Sequence, residues 1–283
     1  PARRFLRPRG APGLRALRYL AGMPGQFRLV DRLRRICTPM PAARTIRQHG
    51  DLAAARALGR ITGEVLRLLG FNMNFAPVMS IMTEDRDLLS NGLYSRSFGR
   101  SPGEVLGYTM VYLRGLQGQG CLGCAKHFPG IGAGEVDTHE EMAVIHLTHD
   151  DLIAQDLAPY IELFQREDNM VRAVMVSHGG FPNIDIHRGI AGGRLVPASI
   201  NPSVVRDLLR DELGYDGLVV TDDLEMGAIA KHCAIEEASL RAVLAGEDMI
   251  LICARPDLIR RSYQALLDAA RRGELSRGRI QAS

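Results

Sequence analysis

The chain has 283 residues, of which 46% are hydrophobic, 24% charged and 5% aromatic, with no tryptophan; this is the balance of a soluble globular protein, at a length that suits one α/β barrel with a large core, and it excludes a sugar-stacking platform built on tryptophan. The formal net charge is +3, but the excess is local. Before residue 36 stand Arg3, Arg4, Arg7, Arg9, Arg15, Arg18, Arg28, Arg32, Arg34 and Arg35 against one acid, Asp31, while the rest is mildly acidic, so no nucleic-acid partner is expected.

Residues 1–36, biased to Arg, Pro, Gly, Ala and Leu, stand apart as a basic low-complexity or aberrant segment. Three readings compete for it: a disordered tail, a truncated barrel start, or out-of-frame translation of a GC-rich start. It has charge but no uninterrupted apolar core of signal-peptide type, and the first residue is Pro1, which leaves room for a removed leader. No apolar run reaches the ~18 residues of a membrane span, so no membrane partner is expected.

Residues 37–283 read as one α/β domain. Asp51 caps a helix through "LAAARALGRITGEVLRLL", with Leu52, Leu58, Ile61, Val65 and Leu68 at roughly helical spacing and Gly70 as the stop. "FNMNFAPV" reads as a buried strand. Ser101, Pro102, Gly103 and Glu104 form a capping box with proline at the first helical position, opening the next helix. "CLGCAKHF" is a second strand. Thr148 or Asp150 starts a helix through "DDLIAQDLAPYIELFQ", followed by the strand "RAVMVSHGG". Asn201-Pro202 opens "SVVRDLLRDELG", which Gly214 ends. "GLVVTDD", the helix "EEASLRAVLAG" and the strand "DMILICA" complete the alternation.

Five short, apolar, β-branched strands are visible, as expected of a parallel sheet covered by helices. Repeated βα units without a GxGxxG favour a (β/α)8 TIM-type barrel, and since about eight strands are needed, one incomplete at its N-terminus. Cys37, Cys121, Cys124, Cys233 and Cys253 are an odd, sparse set. They argue against a disulfide framework and for a reducing, cytoplasmic compartment. Cys121 and Cys124 have redox spacing, but their small-residue strand context reads as buried thiols.

Polar residues gather just past each strand: Ser80, Lys126 with His127, Ser177 with His178, and Asp222 with Asp223. In a barrel these converge on the C-terminal mouth of the strands, where barrel enzymes place catalysis. Each has a plainer reading alone. His178 suits a satisfied histidine under a loop, and Asp222 or Asp223 suits a helix cap completed by Glu225. The stretch "KHFPGIGAGEVDTHEE", residues 126–141, adds a glycine-rich run and an acid two residues before a histidine. Read alone, Asp137 and His139 suit a solvated loop that Glu140 and Glu141 continue.

Together "KHFPG", the following "DTH", "RSFG" at 96–99, "NFAPV" at 74–78 and "LRDELGYDGLVVTDDLEM" at 209–226 resemble family 3 glycoside hydrolases, in particular the β-N-acetylglucosaminidase branch of bacterial cell-wall (peptidoglycan) recycling. The resemblance runs from about residue 37 to about residue 280. It implies a retaining exo-glycosidase that removes terminal β-linked N-acetylglucosamine through a covalent glycosyl-aspartate. Asp222 matches the family nucleophile, and the resemblance makes His139 the acid/base in place of the second carboxylic acid usual in such hydrolysis. If Asp137-Thr138-His139 is extended, alternate side chains share a face, and Asp137 can set the imidazole tautomer and stabilise imidazolium. The glycines would let this loop swing over bound sugar. Arg96, Lys126 and His127 match substrate-holding residues, His178 is a further substrate-binding candidate, and Arg32 aligns weakly with a substrate-binding arginine.

The expectation is a monomeric hydrolase acting on carbohydrate, with no cofactor and no metal. A metal-dependent hydrolase built on His127, His139, His146 and His149 has neither an early HxH nor an HExxH to support it. The chain also departs from the family. The early "DQEGGRV" has no counterpart, the loop reads "PGIGAG" where "PGHGDT" is usual, and Ser80 stands where the family has aspartate. A catalytically defective or sugar-binding fragment of the same family is the alternative.

Overall fold

The computed structural model describes residues 40–89, 92–166, 168, 170–184 and 194–282. From Pro41 onward they belong to one compact unit. Arg32, Cys37 and the whole segment 1–36 lie outside the described residues.

Seven parallel strands make one sheet among the described residues: β1 (Met73–Asn74), β2 (Val78–Ile81), β3 (Ser97–Gly99), β4 (Leu122–Phe128), β5 (Ala173–Val176), β6 (Leu218–Asp223) and β7 (Met249–Leu251). The path runs β3-β2-β4-β5-β6-β7, with β1 paired to β4. From β4 onward each strand lies beside the next one in sequence, so the winding does not reverse between β4 and β7. That is the barrel type of βα winding; a doubly wound sheet has a switch point where the order turns back. The α/β, barrel-like class read from the alternation is therefore the one observed. Strand β5 is buried at all four positions and β6 at its middle three, as strands covered on both faces require.

Seven strands replace the five read from the sequence. "FNMNFAPV" divides into β1 and β2 around Ala76-Pro77, where proline has no N–H to donate to a ladder. The "RSFG" stretch supplies β3, too short for any alternation to show.

The helices are α1 (Ala43–His49), α2 (Leu52–Leu68), α3 (Pro102–Gln117), α4 (His149–Ala154), α5 (Ala158–Phe164), α6 (Ser203–Glu212), α7 (Gly227–Ala230), α8 (Ile235–Ala245), α9 (Pro256–Arg271) and α10 (Arg277–Ala282). Asp51 caps α2 by accepting from the Ala53 N–H at 2.8 Å. The buried residues of α2 are Ala55, Gly59 and Gly63, not its leucines, because the helix lies close against α3. Ser101 accepts from the Glu104 N–H, and the Glu104 carboxylate reaches back to the Arg100 N–H, one residue earlier than a regular capping box. The single helix expected over "DDLIAQDLAPYIELFQ" is two, because Pro159 opens α5 and Asp156, between them, turns into the core. Helix α6 is wound with wide π-type hydrogen bonding. The described cysteines are free thiols, and Cys121 and Cys124 are buried.

Candidate active site

Strand register brings the polar strand ends together. Lys126 pairs with Val78 and with Met175, and Val78 pairs with Ser97, so Arg96 arrives beside Lys126. Val176 pairs with Thr221, which sets His178 next to Asp222 and Asp223. Of the residues singled out in the sequence, Arg96, Lys126, His127, Asp137, His139, His178 and Asp222 form one electrostatically connected group. Arg32 alone lies outside the described residues.

Asp222 ends the stiff run Leu218-Val219-Val220-Thr221, and only 18% of its side chain is exposed. Its Oδ1 accepts from the Asp223 N–H at 2.9 Å, and its Oδ2 lies 3.7 Å from His127 Nε2. Burial opposes ionisation of Asp222. His127, His178, the Asp223 N–H and Lys126 together outweigh it and hold the carboxyl below its ordinary value. Asp223 turns away, accepting from the Glu225 N–H at 3.1 Å, so the two neighbouring acids have different tasks.

Burial pushes the His127 imidazole down to about 3, against the pull of Asp222. Its Nδ1 is buried with no hydrogen-bond partner among the described residues. Burial and the nearby Arg96 likewise lower Lys126, and Asp222 opposes them. The peptide bond joining Lys126 to His127 is cis.

His178 is fully buried and committed within the protein. Its Nε2 lies 2.9 Å from the Asp223 carbonyl and its Nδ1 2.7 Å from Ser199 Oγ. A carbonyl can only accept, so Nε2 donates to it and Nδ1 accepts from the Ser199 hydroxyl. The ring thereby braces the end of β6. Ser199 was not legible in the sequence as part of this group.

His139 and Asp137 meet as the sequence suggests, by a different geometry. The segment is a turn, not an extended strand. The Asp137 carbonyl accepts from the Glu140 and Glu141 N–H groups, and Asp137 Oδ1 accepts from the His139 N–H at 2.9 Å. Aspartate readily makes such a turn with its own side chain. The turn folds the imidazole back, so that Nδ1 donates to the same Oδ1 at 2.6 Å. With Nδ1 carrying that proton, Nε2 faces outward and has no partner among the described residues; the His139 side chain is 67% exposed. Burial works against the Asp137 carboxylate, but the His139 N–H, the imidazole and Arg96 hold it below its ordinary value.

The glycines preceding this turn do not form the loose tether expected of them. Gly130, Gly132 and Gly134 are buried. A Cβ on Gly132 would stand 2.7 Å from the Ile81 carbonyl oxygen, so this glycine permits close packing. The dyad segment is docked at its other end too. The Gly227 N–H donates to the His139 carbonyl at 3.0 Å and the Ala228 N–H to the Thr138 carbonyl at 3.3 Å. Gly227 has no substitute there, because any Cβ would collide with the Glu140 carbonyl.

Among the described residues no group of three or more His, Cys, Asp or Glu side chains is arranged to hold a metal ion. None of the described helices is long and apolar enough to cross a membrane.

The chain is similar in sequence and fold to known proteins. The chain is 34% identical over 256 residues to a β-hexosaminidase of Bordetella avium, and 35% identical over 252 residues to the β-hexosaminidase LpqI of Mycobacterium tuberculosis; the alignments take in 88% and 86% of this chain. It spans 67% and 60% of the length of those two relatives. A family 3 β-N-acetylglucosaminidase structure from Paenibacillus sp. str. FPU-7 superposes with a TM-score of 0.79 at 35% identity, over 87% of this chain and 44% of that one. The M. tuberculosis LpqI structure superposes at 0.73 with 33% identity, over 86% of this chain and 67% of that one. The model of the glycosyl hydrolase family 3 N-terminal domain matches residues 25–283, beginning inside the segment that composition sets apart. The chain belongs to glycosyl hydrolase family 3 through that N-terminal domain.

Proposed function

We propose that the chain forms the catalytic part of a retaining exo-β-N-acetylglucosaminidase that removes terminal β-linked N-acetylglucosamine. The observation that carries this reading is the pairing of two differently tuned groups: a carboxyl held ionised on a rigid strand end, and an imidazole oriented by Asp137 with Nε2 free. The β-hexosaminidases among its relatives support the substrate class.

In the first step Asp222 attacks the anomeric carbon while protonated His139 gives its Nε2 proton to the leaving glycosidic oxygen. The C–O bond breaks, the aglycone leaves as an alcohol and a glycosyl ester forms on Asp222. His139, now neutral, then takes a proton from water as that water attacks the anomeric carbon. The sugar leaves with retained configuration, and Asp222 and imidazolium are restored. Asp137 stabilises the imidazolium through the Nδ1 hydrogen bond. Arg96, Lys126 and His127 hold the sugar hydroxyls, His178 braces the β6 end, and Arg32 is proposed as a further substrate contact. Free thiols at Cys121 and Cys124 favour a reducing, cytoplasmic setting, where wall fragments are recycled.

A second reading, sugar binding without turnover, is favoured by Ser80. Its buried hydroxyl has no partner among the described residues, at the strand end where the resemblance has an aspartate. Hydrolysis of a chromogenic N-acetylglucosaminide separates the two. The first reading requires turnover that Asp222→Ala and His139→Ala each abolish. Saturable sugar binding by a cooperatively folded protein with no turnover would establish the second instead.

A further inference from the structure

Away from the Asp222 group, a cavity of about 230 Å³ is lined by Arg194, Val196, His232, Glu237 and Arg241. It brings two guanidinium groups and an imidazole together against one carboxylate. Arg241 and Glu237 lie one turn apart on α8, 2.7 Å from each other, with side chains 37% and 49% exposed. An exposed pair of this kind is weak and leaves most of the Arg241 donors free. Neither the Arg194 nor the His232 side chain makes a hydrogen bond or ion pair among the described residues; the His232 backbone N–H is taken by the Ile229 carbonyl. Burial, with Arg194 and Arg241 acting as like charges, lowers the His232 imidazole, and Glu237 opposes them. Positive charge is thus concentrated in this cavity beyond what its own carboxylate balances.

None of the lining residues belongs to the candidate active site. Val196 shares an apolar cluster with Leu224 and Ile229. His232 follows α7, whose first residue holds the His139 carbonyl.

We propose that this cavity binds a phosphate-type oxyanion, free or as a monoester, gripped by Arg194 and Arg241 with His232 as a third donor. Two convergent guanidinium forks suit phosphate oxygens, and charge-assisted hydrogen bonds are the strong ones. The volume leaves room for the substituent of an ester. The inference does not depend on the glycosidase reading.

The test is isothermal titration calorimetry of the full chain with inorganic phosphate and, separately, with glycerol 3-phosphate, at constant ionic strength. One saturable site is expected, weakened about tenfold or more by Arg194→Gln and by Arg241→Gln, the loss of one charge-assisted bond. Lys126→Gln, in the Asp222 group, should leave it unchanged. Tighter binding of the monoester identifies the anion as part of a larger molecule; tighter binding of phosphate identifies a free ion. Arg194 is exposed, so its variant keeps the fold, which thermal unfolding verifies. The proposal is overturned if neither anion gives a saturable heat, or if binding is unchanged in both arginine variants; its loss with Lys126→Gln would move the site to the Asp222 group.

Discussion

Arg86 and Asp156, 70 residues apart in the chain, form a buried two-pronged ion pair with both N···O distances 2.9 Å. Arg86 Nη1 also donates to the Ile81 carbonyl at the end of β2, at 2.9 Å. Burial raises the Asp156 carboxyl, and Arg86 opposes that rise. A Cβ on Gly132 would lie 3.2 Å from Arg86 Nη1 and 3.5 Å from Asp156 Oδ1. The pair therefore joins β2, the α4–α5 break and the loop leading to the Asp-His turn.

Asp156→Ala should destabilise the protein by about 3–5 kcal/mol, the usual consequence of leaving a buried charge without its partner. Replacing both residues, Arg86→Met with Asp156→Leu, should cost less than the single change. Urea unfolding measures both. A single variant within ~1 kcal/mol of the parent would show that the pair does not clamp these elements.

Gly227→Ala tests the docking of the dyad turn. The new methyl group meets the His139 and Glu140 carbonyls and must push the turn away. A displacement of about 1 Å at a catalytic group lowers the rate on the order of 10²-fold. The expected result is a fall in kcat of that size with cooperative unfolding retained. An unchanged kcat would mean that His139 does not need this anchor.

Asp137→Asn keeps the size of the side chain but removes the charge that supports imidazolium. It should lower kcat by about 10²–10⁴-fold, the usual contribution of general acid–base catalysis. Steady-state kinetics with the chromogenic substrate reads this directly, and KM should change far less than kcat.

Glu247 is fully buried, and neither carboxylate oxygen has a hydrogen-bond partner among the described residues. Burial, reinforced by Asp248, raises its carboxyl well above the ordinary value; Arg210 and Arg279 oppose this only in part. The folded state therefore holds a proton that the unfolded state has released, and stability is lost as pH rises above the ordinary glutamate value of about 4.3. Glu247→Gln removes that loss. The variant should gain about 1–3 kcal/mol over the parent at pH 8, and less at pH 5, by urea unfolding. Parallel stability curves would show that Glu247 does not titrate in this way.

Much of this site was legible in the sequence because its residues lie in contiguous motifs. Asp222 closes the β-branched run Val219-Val220-Thr221, and Lys126 and His127 close the small, apolar run Cys121-Leu122-Gly123-Cys124-Ala125. The nearness of Asp137 to His139 was also legible, but the conformation was not. Local spacing allows either an extended segment or a turn, and the turn wins because the Asp137 side chain caps its own backbone. The glycines misled for a related reason. A glycine that lends freedom and a glycine that permits close packing look the same until the Ile81 carbonyl is placed against Gly132 and the Asp156 side chain against Gly130. Arg86 with Asp156, and His178 with Ser199, are pairs made by the fold across long chain separations, with no local signal. Strand Ser97–Gly99 has too few residues to show a period.

The central claim is a covalent glycosyl ester at Asp222, and the most direct measurement is trapping with a slow 2-fluoro glycoside followed by peptide mass spectrometry. The account predicts one sugar adduct on the peptide holding Asp222, formed at a reduced rate in Asp137→Asn and absent in Asp222→Ala. Turnover of the ordinary substrate with no adduct at Asp222, or with the label on another carboxylate, would contradict it.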